Sequence, residues 1–152
     1  GNGIPLDAYK VDYASGAVEE MVLKYKNNEY LIIEGQGSLL NPGSTATLPL
    51  MRGSCPTALV LCHRLGLRVV ESETKILIPP LEQVISLNEQ LVTGLNSFPT
   101  AKVKAVALDT RGYDHASAIN EISKMEDKLN LPVTDPVRFS AKKIANALIY
   151  LN

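Results

Sequence analysis

The chain has 152 residues, 45% of them hydrophobic and 20% charged, with a formal net charge of −1. Basic and acidic residues nearly balance, which argues against a nucleic-acid surface or a basic membrane face, and no apolar run approaches the roughly 20 residues that cross a bilayer. The length suits one compact α/β domain over residues 1–152 with a sizeable core.

The start, GNGIPLDAYK, has neither an initiator Met nor the charged and apolar regions of a secretion signal. The sequence is therefore read as a fragment or a processed chain. Its two cysteines, Cys55 and Cys62, stand seven positions apart and do not form a metal knuckle. No disulfide scaffold is expected, so the expected compartment is a reducing cytoplasm.

In chain order, Ala17, Val18, Met21, Val22 and Tyr25 recur at helical spacing and predict a first amphipathic helix over 13–26. Asn27-Asn28 breaks it, and Leu31-Ile32-Ile33 reads as a short strand without polar alternation. A glycine-rich loop and Pro42 lead to a short helix near 45–51, and Ala58 to Cys62 reads as a second buried strand ending on His63-Arg64. Residues 68–78 are compatible with an edge strand. Pro79-Pro80 opens a helix over 81–95. Val103 to Leu108 is a third strand ending on Asp109-Thr110, followed by a helix over 114–129 and a short extended LPV. Thr134-Asp135-Pro136 then introduces a terminal helix, with Asp as cap and Pro at the first helical position. This alternation implies a three-layer α/β fold, a mostly parallel sheet with helices on both faces.

In such sheets, ligands bind outside the carboxyl ends of the strands. Three predicted strand ends carry polar groups: Glu34 with Gly35-Gln36-Gly37-Ser38, His63-Arg64, and Asp109-Thr110-Arg111. A carboxylate at the end of an apolar strand needs a cation or backbone donors. Glycines beside it expose amides toward an anion. Acid and amide nest together fit a Mg²⁺-bound phosphate, with Glu34 as the possible Mg²⁺ ligand. The plainer alternative is a helix-capping acid followed by a turn. His63 either shuttles a proton or binds substrate, or it is a half-buried histidine satisfied by carbonyls. Asp109 and Thr110 either read a ligand or cap the turn at Gly112. Asp135 and Arg138 join the candidate substrate- or phosphate-binding set, against a capping role for Asp135. No GxxxxGK[ST] phosphate loop occurs.

The segments GAVEEMVL, LIIEGQGSLLNP, TALVLCHR, IPPLEQVI, VKAVALDT and LPVTDPVRF, in that order, resemble the C-terminal domain of a bacterial and archaeal family. That family was long labelled a domain of unknown function and includes D-glutamate N-acetyltransferase. The resemblance covers nearly the whole chain. It implies a P-loop NTPase-like fold lacking the N-terminal phosphate-loop segment, within a parent chain about twice as long that carries a Rossmann-like N-terminal domain. EGQGSLLNP is also similar to the glutamate loop of dethiobiotin synthetases. By that likeness Glu34 is a Walker-B-like acid, and Gly35 to Ser38 form the substrate or phosphate nest. Asp109 replaces the Asn of relatives, and an ionised carboxylate only accepts hydrogen bonds, which changes any reading of a purine. Asn41 stands where a His is expected.

Three functions follow as expectations. The first is N-acyl transfer to a small acidic amino acid, with Glu34 and His63 as catalytic candidates and acetyl-CoA as the donor the resemblance implies. The second is a Mg²⁺- and ATP-dependent ligase or kinase-like enzyme. The third is a non-catalytic module that assembles homo-oligomers. The isolated fragment is expected to be inactive.

Overall fold

The computed structural model describes residues 3–35, 37–70 and 75–149. Five α-helices and three strands are formed among them: α1 (Val11–Lys24), α2 (Thr47–Ser54), β1 (Ala58–Arg64), α3 (Leu81–Thr93), β2 (Lys102–Asp109), α4 (His115–Leu129), β3 (Val133–Thr134) and α5 (Lys142–Ile149). The strands make one parallel sheet in the order β1-β2-β3. The expected α/β alternation around a parallel sheet is what forms. No helix among the described residues is long and apolar enough to cross a membrane.

Parallel pairing needs a crossover between successive strands, and α3 and α4 supply the two. An ion pair links them, Lys128 Nζ to Glu82 Oε1 at 3.2 Å. Each helix ends in a left-handed residue, Gly94 after α3 and Asn130 after α4, the usual way to turn the chain back toward the sheet. Asp114 caps α4 by accepting from the Ser117 amide at 2.9 Å.

Val106, Leu108, Ile122 and Val133 form one buried cluster, joining the middle of the sheet to α4. A second cluster, Leu6, Ala14, Val18 and Ala46, joins α1 to the start of α2. There Gly53 lets the helices meet, since a Cβ on it would lie 2.2 Å from the Ser15 carbonyl oxygen.

Three expectations change. Residues 31–33 form no strand: the segment joins no ladder with a described residue, and Ile32 is 89% exposed. Their β-propensity alone cannot make a strand, because a strand exists only through bonds to a neighbour. Residues 68–78 give a single antiparallel bridge, Val69 with Leu77, in place of an edge strand, and 71–74 fall outside the described residues. The final helix also begins later than Pro136. A turn intervenes, and α5 starts at Lys142.

Candidate functional site

The parallel register sets Arg64, the last residue of β1, directly opposite Asp109, the last of β2. Their side chains meet, with Arg64 Nε 3.3 Å from Asp109 Oδ2. Arg111 folds back onto the same carboxylate. Its Nε lies 3.0 and 2.9 Å from the two oxygens, its Nη2 lies 2.6 Å from Oδ2, and its amide donates to Oδ1 at 3.0 Å. The Arg111 guanidinium and amide, helped by Arg64, hold the Asp109 carboxyl far below the ordinary carboxylate range. The result is an exposed Arg–Asp–Arg array at the carboxyl end of two adjacent strands.

Thr110 and Asp135 lie just inside this rim. Thr110 is fully buried and Asp135 is 5% exposed. Asp135 Oδ2 accepts from the Thr110 amide at 2.9 Å and its hydroxyl at 2.6 Å, while Oδ1 accepts from the amides of Val137 and Arg138, each at 3.0 Å. Burial opposes the charge of Asp135, but these bonds outweigh it and lower its pKa. Arg138 Nη1 donates to the carbonyls of Thr110 (3.4 Å) and Tyr113 (2.8 Å) and to Thr110 Oγ1 (3.3 Å). These three side chains therefore brace the turn after β2, largely through backbone amides and carbonyls.

Glu34 stands apart from that network. It is exposed, and its carboxylate makes no hydrogen bond or ion pair with a described residue. It lies close enough to Cys62 for its charge to add to the effect of burial in raising the thiol pKa. Cys62 and Arg64 are two apart on β1 and so point to one face, with His63 on the other. His63 is half-buried, and that burial lowers its imidazole pKa. It therefore favours the neutral form that can accept a proton.

After Glu34 the loop folds on itself. Gly37 has φ +79°, and a Cβ there would sit 2.0 Å from Ser44 Oγ, so only glycine fits. Ser38 Oγ accepts from the Leu40 amide at 3.1 Å. Asn41 Oδ1 accepts from the Gly43 amide at 2.9 Å, which makes Asn41 a turn-former. The amides of Leu40, Asn41, Gly43 and Ser44 are thus all bonded within the loop. Of the expected nest, Gly35, Gly37 and Ser38 remain beside Glu34, and Gln36 lies outside the described residues.

Among the described residues no three His, Cys, Asp or Glu side chains gather to hold a metal ion. Glu34, unbonded among the described residues, could serve as one ligand to a Mg²⁺ completed by phosphate oxygens and water, the arrangement Mg²⁺ prefers. A polar groove of about 260 Å³, lined by Glu89, Thr93, Asn96 and Lys102 among others, opens at the opposite end of β2 from Asp109. Its Glu89 and Lys102 are bonded to each other at 2.7 Å, so it offers a ligand little unmet charge.

The sequence singled out the strand ends but assigned no part to Arg64 and Arg111, whose common partner is Asp109. The signal was an Asp-Thr-Arg directly after a strand, in which the Arg can fold back on the Asp. Its other half, Arg64, lies 45 residues away.

Comparison with known proteins places this geometry. The chain is 29% identical over 149 residues to a D-glutamate N-acetyltransferase of Tritonibacter scottomollicae, covering 97% of this chain and 44% of that protein. It is 30% identical over 139 residues to a D-glutamate N-acetyltransferase of a Pseudoalteromonas species, covering 91% and 41%. The chain thus spans less than half the length of these relatives. A DUF1611 family protein from Anabaena variabilis, solved by crystallography at 2.30 Å, superposes with a TM-score of 0.94 at 49% identity, covering 98% of this chain and 44% of that one. Residues 1–145 match the family model described as the domain of unknown function DUF1611_C, P-loop domain. The chain therefore belongs to the DUF1611 C-terminal P-loop domain family.

Proposed function

We propose that this chain is the C-terminal part of an N-acyltransferase acting on a small acidic amino acid, in the manner of its D-glutamate N-acetyltransferase relatives. The observation that carries the reading is Glu34, an exposed carboxylate without a partner among the described residues, whose charge is felt at Cys62 on β1. An acceptor amine attacks only when deprotonated. Glu34 attracts the ammonium, and Glu34 or the neutral His63 takes its proton. The amine nitrogen then bonds to the acetyl carbonyl carbon as the carbon–sulfur bond of a thioester such as acetyl-CoA breaks, and the departing thiolate takes up a proton. In this reading the amides at Gly37 and Ser38 supply donors for the developing oxyanion.

A second reading has one specific support, the P-loop description of the family. In it Glu34 holds Mg²⁺ on ATP in a ligase or kinase-like reaction. The deciding experiment incubates the full-length protein with D-glutamate and acetyl-CoA and follows thiol release, alongside Mg²⁺-ATP binding. Acyl transfer requires release that depends on D-glutamate and drops about 10²–10⁴-fold in kcat in Glu34→Gln, the usual span for a general base. ATP binding lost in Glu34→Gln, without transfer, selects the second reading. If both substrates are ignored and Glu34→Gln changes nothing, the domain is an assembly module.

A further inference from the structure

We infer that Arg64 and Arg111, held on either side of Asp109, bind the side-chain carboxylate of a small acidic amino acid. The inference rests on the acyl-acceptor reading above and names the group that selects the acceptor.

Charge is the first reason. Two guanidiniums converge on one carboxylate, leaving one positive charge in excess at the rim. Nearby, Arg138 Nη1 is engaged by the carbonyls of Thr110 and Tyr113, and Asp135 by backbone amides and Thr110, whereas the two arginines at the rim share a single acid. Exposed ion pairs contribute little to stability, so a second arginine on an already paired Asp109 has no clear structural purpose. The guanidinium donors supply the second reason. Arg64 uses only Nε on Asp109, and Arg111 uses Nε and Nη2. A guanidinium carries five N–H donors in a planar fork, so among the described residues Nη groups of both are left for a carboxylate, which such a fork holds bidentately. Both side chains stay accessible while bonded, at 50% and 77% exposure.

Spacing is the third reason. Cys62 and Arg64 point to the same face of β1 about 7 Å apart, two residues along a strand. The Glu34 charge is felt at Cys62, two residues before Arg64, so this end of β1 meets a negative group and a positive one in turn. An extended glutamate places its amine roughly 5–6 Å from its side-chain carboxylate, as its bond lengths dictate. Its ammonium toward Glu34 and its carboxylate toward the arginines match that polarity.

The test uses the full-length protein with D-glutamate and D-glutamine, which differ only in the charged group. The wild type should prefer D-glutamate at least 10-fold in KM. Arg64→Ala and Arg111→Ala should each erase most of that preference by raising KM for D-glutamate with kcat little changed, and Arg111→Lys should recover part of it. A preference that survives both alanine variants overturns the inference while leaving acyl transfer intact. Should the wild type transfer no acetyl group, the acyltransferase reading falls. Equilibrium titration with the same two amino acids then decides the arginine site alone: selective D-glutamate binding lost in the variants supports it, and no selective binding overturns it. Loss of ATP binding in the variants with unchanged D-glutamate binding also overturns it, assigning the arginines to phosphate. Arg64→Gln, which keeps a shorter polar side chain without the charge, and thermal melting of every variant separate binding from folding.

Discussion

Thr110 and Asp135 are 25 residues apart in sequence and joined by two hydrogen bonds, at 2.9 and 2.6 Å, in a buried position. They tie the end of β2 to the turn after β3. Replacing Asp135 with Ala leaves the amides of Thr110, Val137 and Arg138 without that acceptor, at a cost of about 2–4 kcal/mol, more than a typical substitution. Chemical denaturation should show the loss.

The same pair predicts an acid limit. Burial works against ionised Asp135, and the donors from Thr110, Arg138 and Val137 overcome it, so its folded pKa lies below the unfolded value of about 3.9. Between those two pKa values the unfolded chain binds more protons than the folded one, so stability rises with pH there. The contribution is full above about pH 4–5 and disappears as pH falls through the folded pKa. Melting curves of wild type and Asp135→Asn between about pH 3 and 6 should converge toward the acid end. A constant gap would assign the stabilisation to something other than this carboxylate.

Gly53 sets how closely α1 and α2 approach. A Cβ there would stand 2.2 Å from the Ser15 carbonyl oxygen and 2.7 Å from Val18 Cβ. Backbone on one side and a buried valine on the other cannot both yield without separating the helices. Gly53→Ala should therefore destabilise by about 1–3 kcal/mol, the usual cost of overpacking, despite the better helix propensity of Ala. An unchanged melting temperature would mean that the helices do not meet at Gly53.

The parts of this molecule that were legible in the sequence are those whose causes are local. The Pro79-Pro80 opening of α3, the Asp114 start of α4 and the continuous apolar stretches of β1 and β2 all depend on neighbours within a few residues. Asp135 was only half legible. Its capping of the Val137 and Arg138 amides follows from the Asp-Pro signal, but its bonds to Thr110 cross 25 residues. Likewise Asp109 was found as a strand end, while its capture by Arg64 depends on the register of two strands. Residues 31–33 mark the converse limit. Their composition favours a strand, yet no described strand offers them a ladder.

The closeness of Glu34 to Cys62 can be measured by alkylation. Burial, and after it the Glu34 charge, raises the thiol pKa, and only the thiolate reacts. In a Cys55→Ser background, Glu34→Gln should speed alkylation of Cys62 several-fold near neutral pH, with the apparent pKa moving down. Equal rates in the two proteins would place Glu34 away from this face and remove the support it lends to a base at β1.

Glutamates on α3 and α4 perform the same task for successive strands. Glu89 Oε1 accepts from the Val103 amide near the start of β2 at 2.9 Å, and Glu126 Oε1 accepts from the Val133 amide at the start of β3 at 2.9 Å. Each also holds a lysine at 2.7 Å, Lys102 in the first case and Lys143 in the second. A strand's first amide has no guaranteed ladder partner, and a carboxylate from the preceding helix satisfies it while fixing where the crossover returns. Because β3 has only two residues, it depends on this bond more than β2 does. Glu126→Ala should therefore cost about 1.5–3 kcal/mol, the range for a hydrogen bond to a charged group, and Glu126→Gln less, since its amide oxygen still accepts. Hydrogen exchange at Val133 and Thr134 should accelerate in Glu126→Ala, while Lys143→Ala should leave those two amides protected. Matching acceleration in both variants would mean that β3 is held through Lys143 rather than through the carboxylate on its first amide.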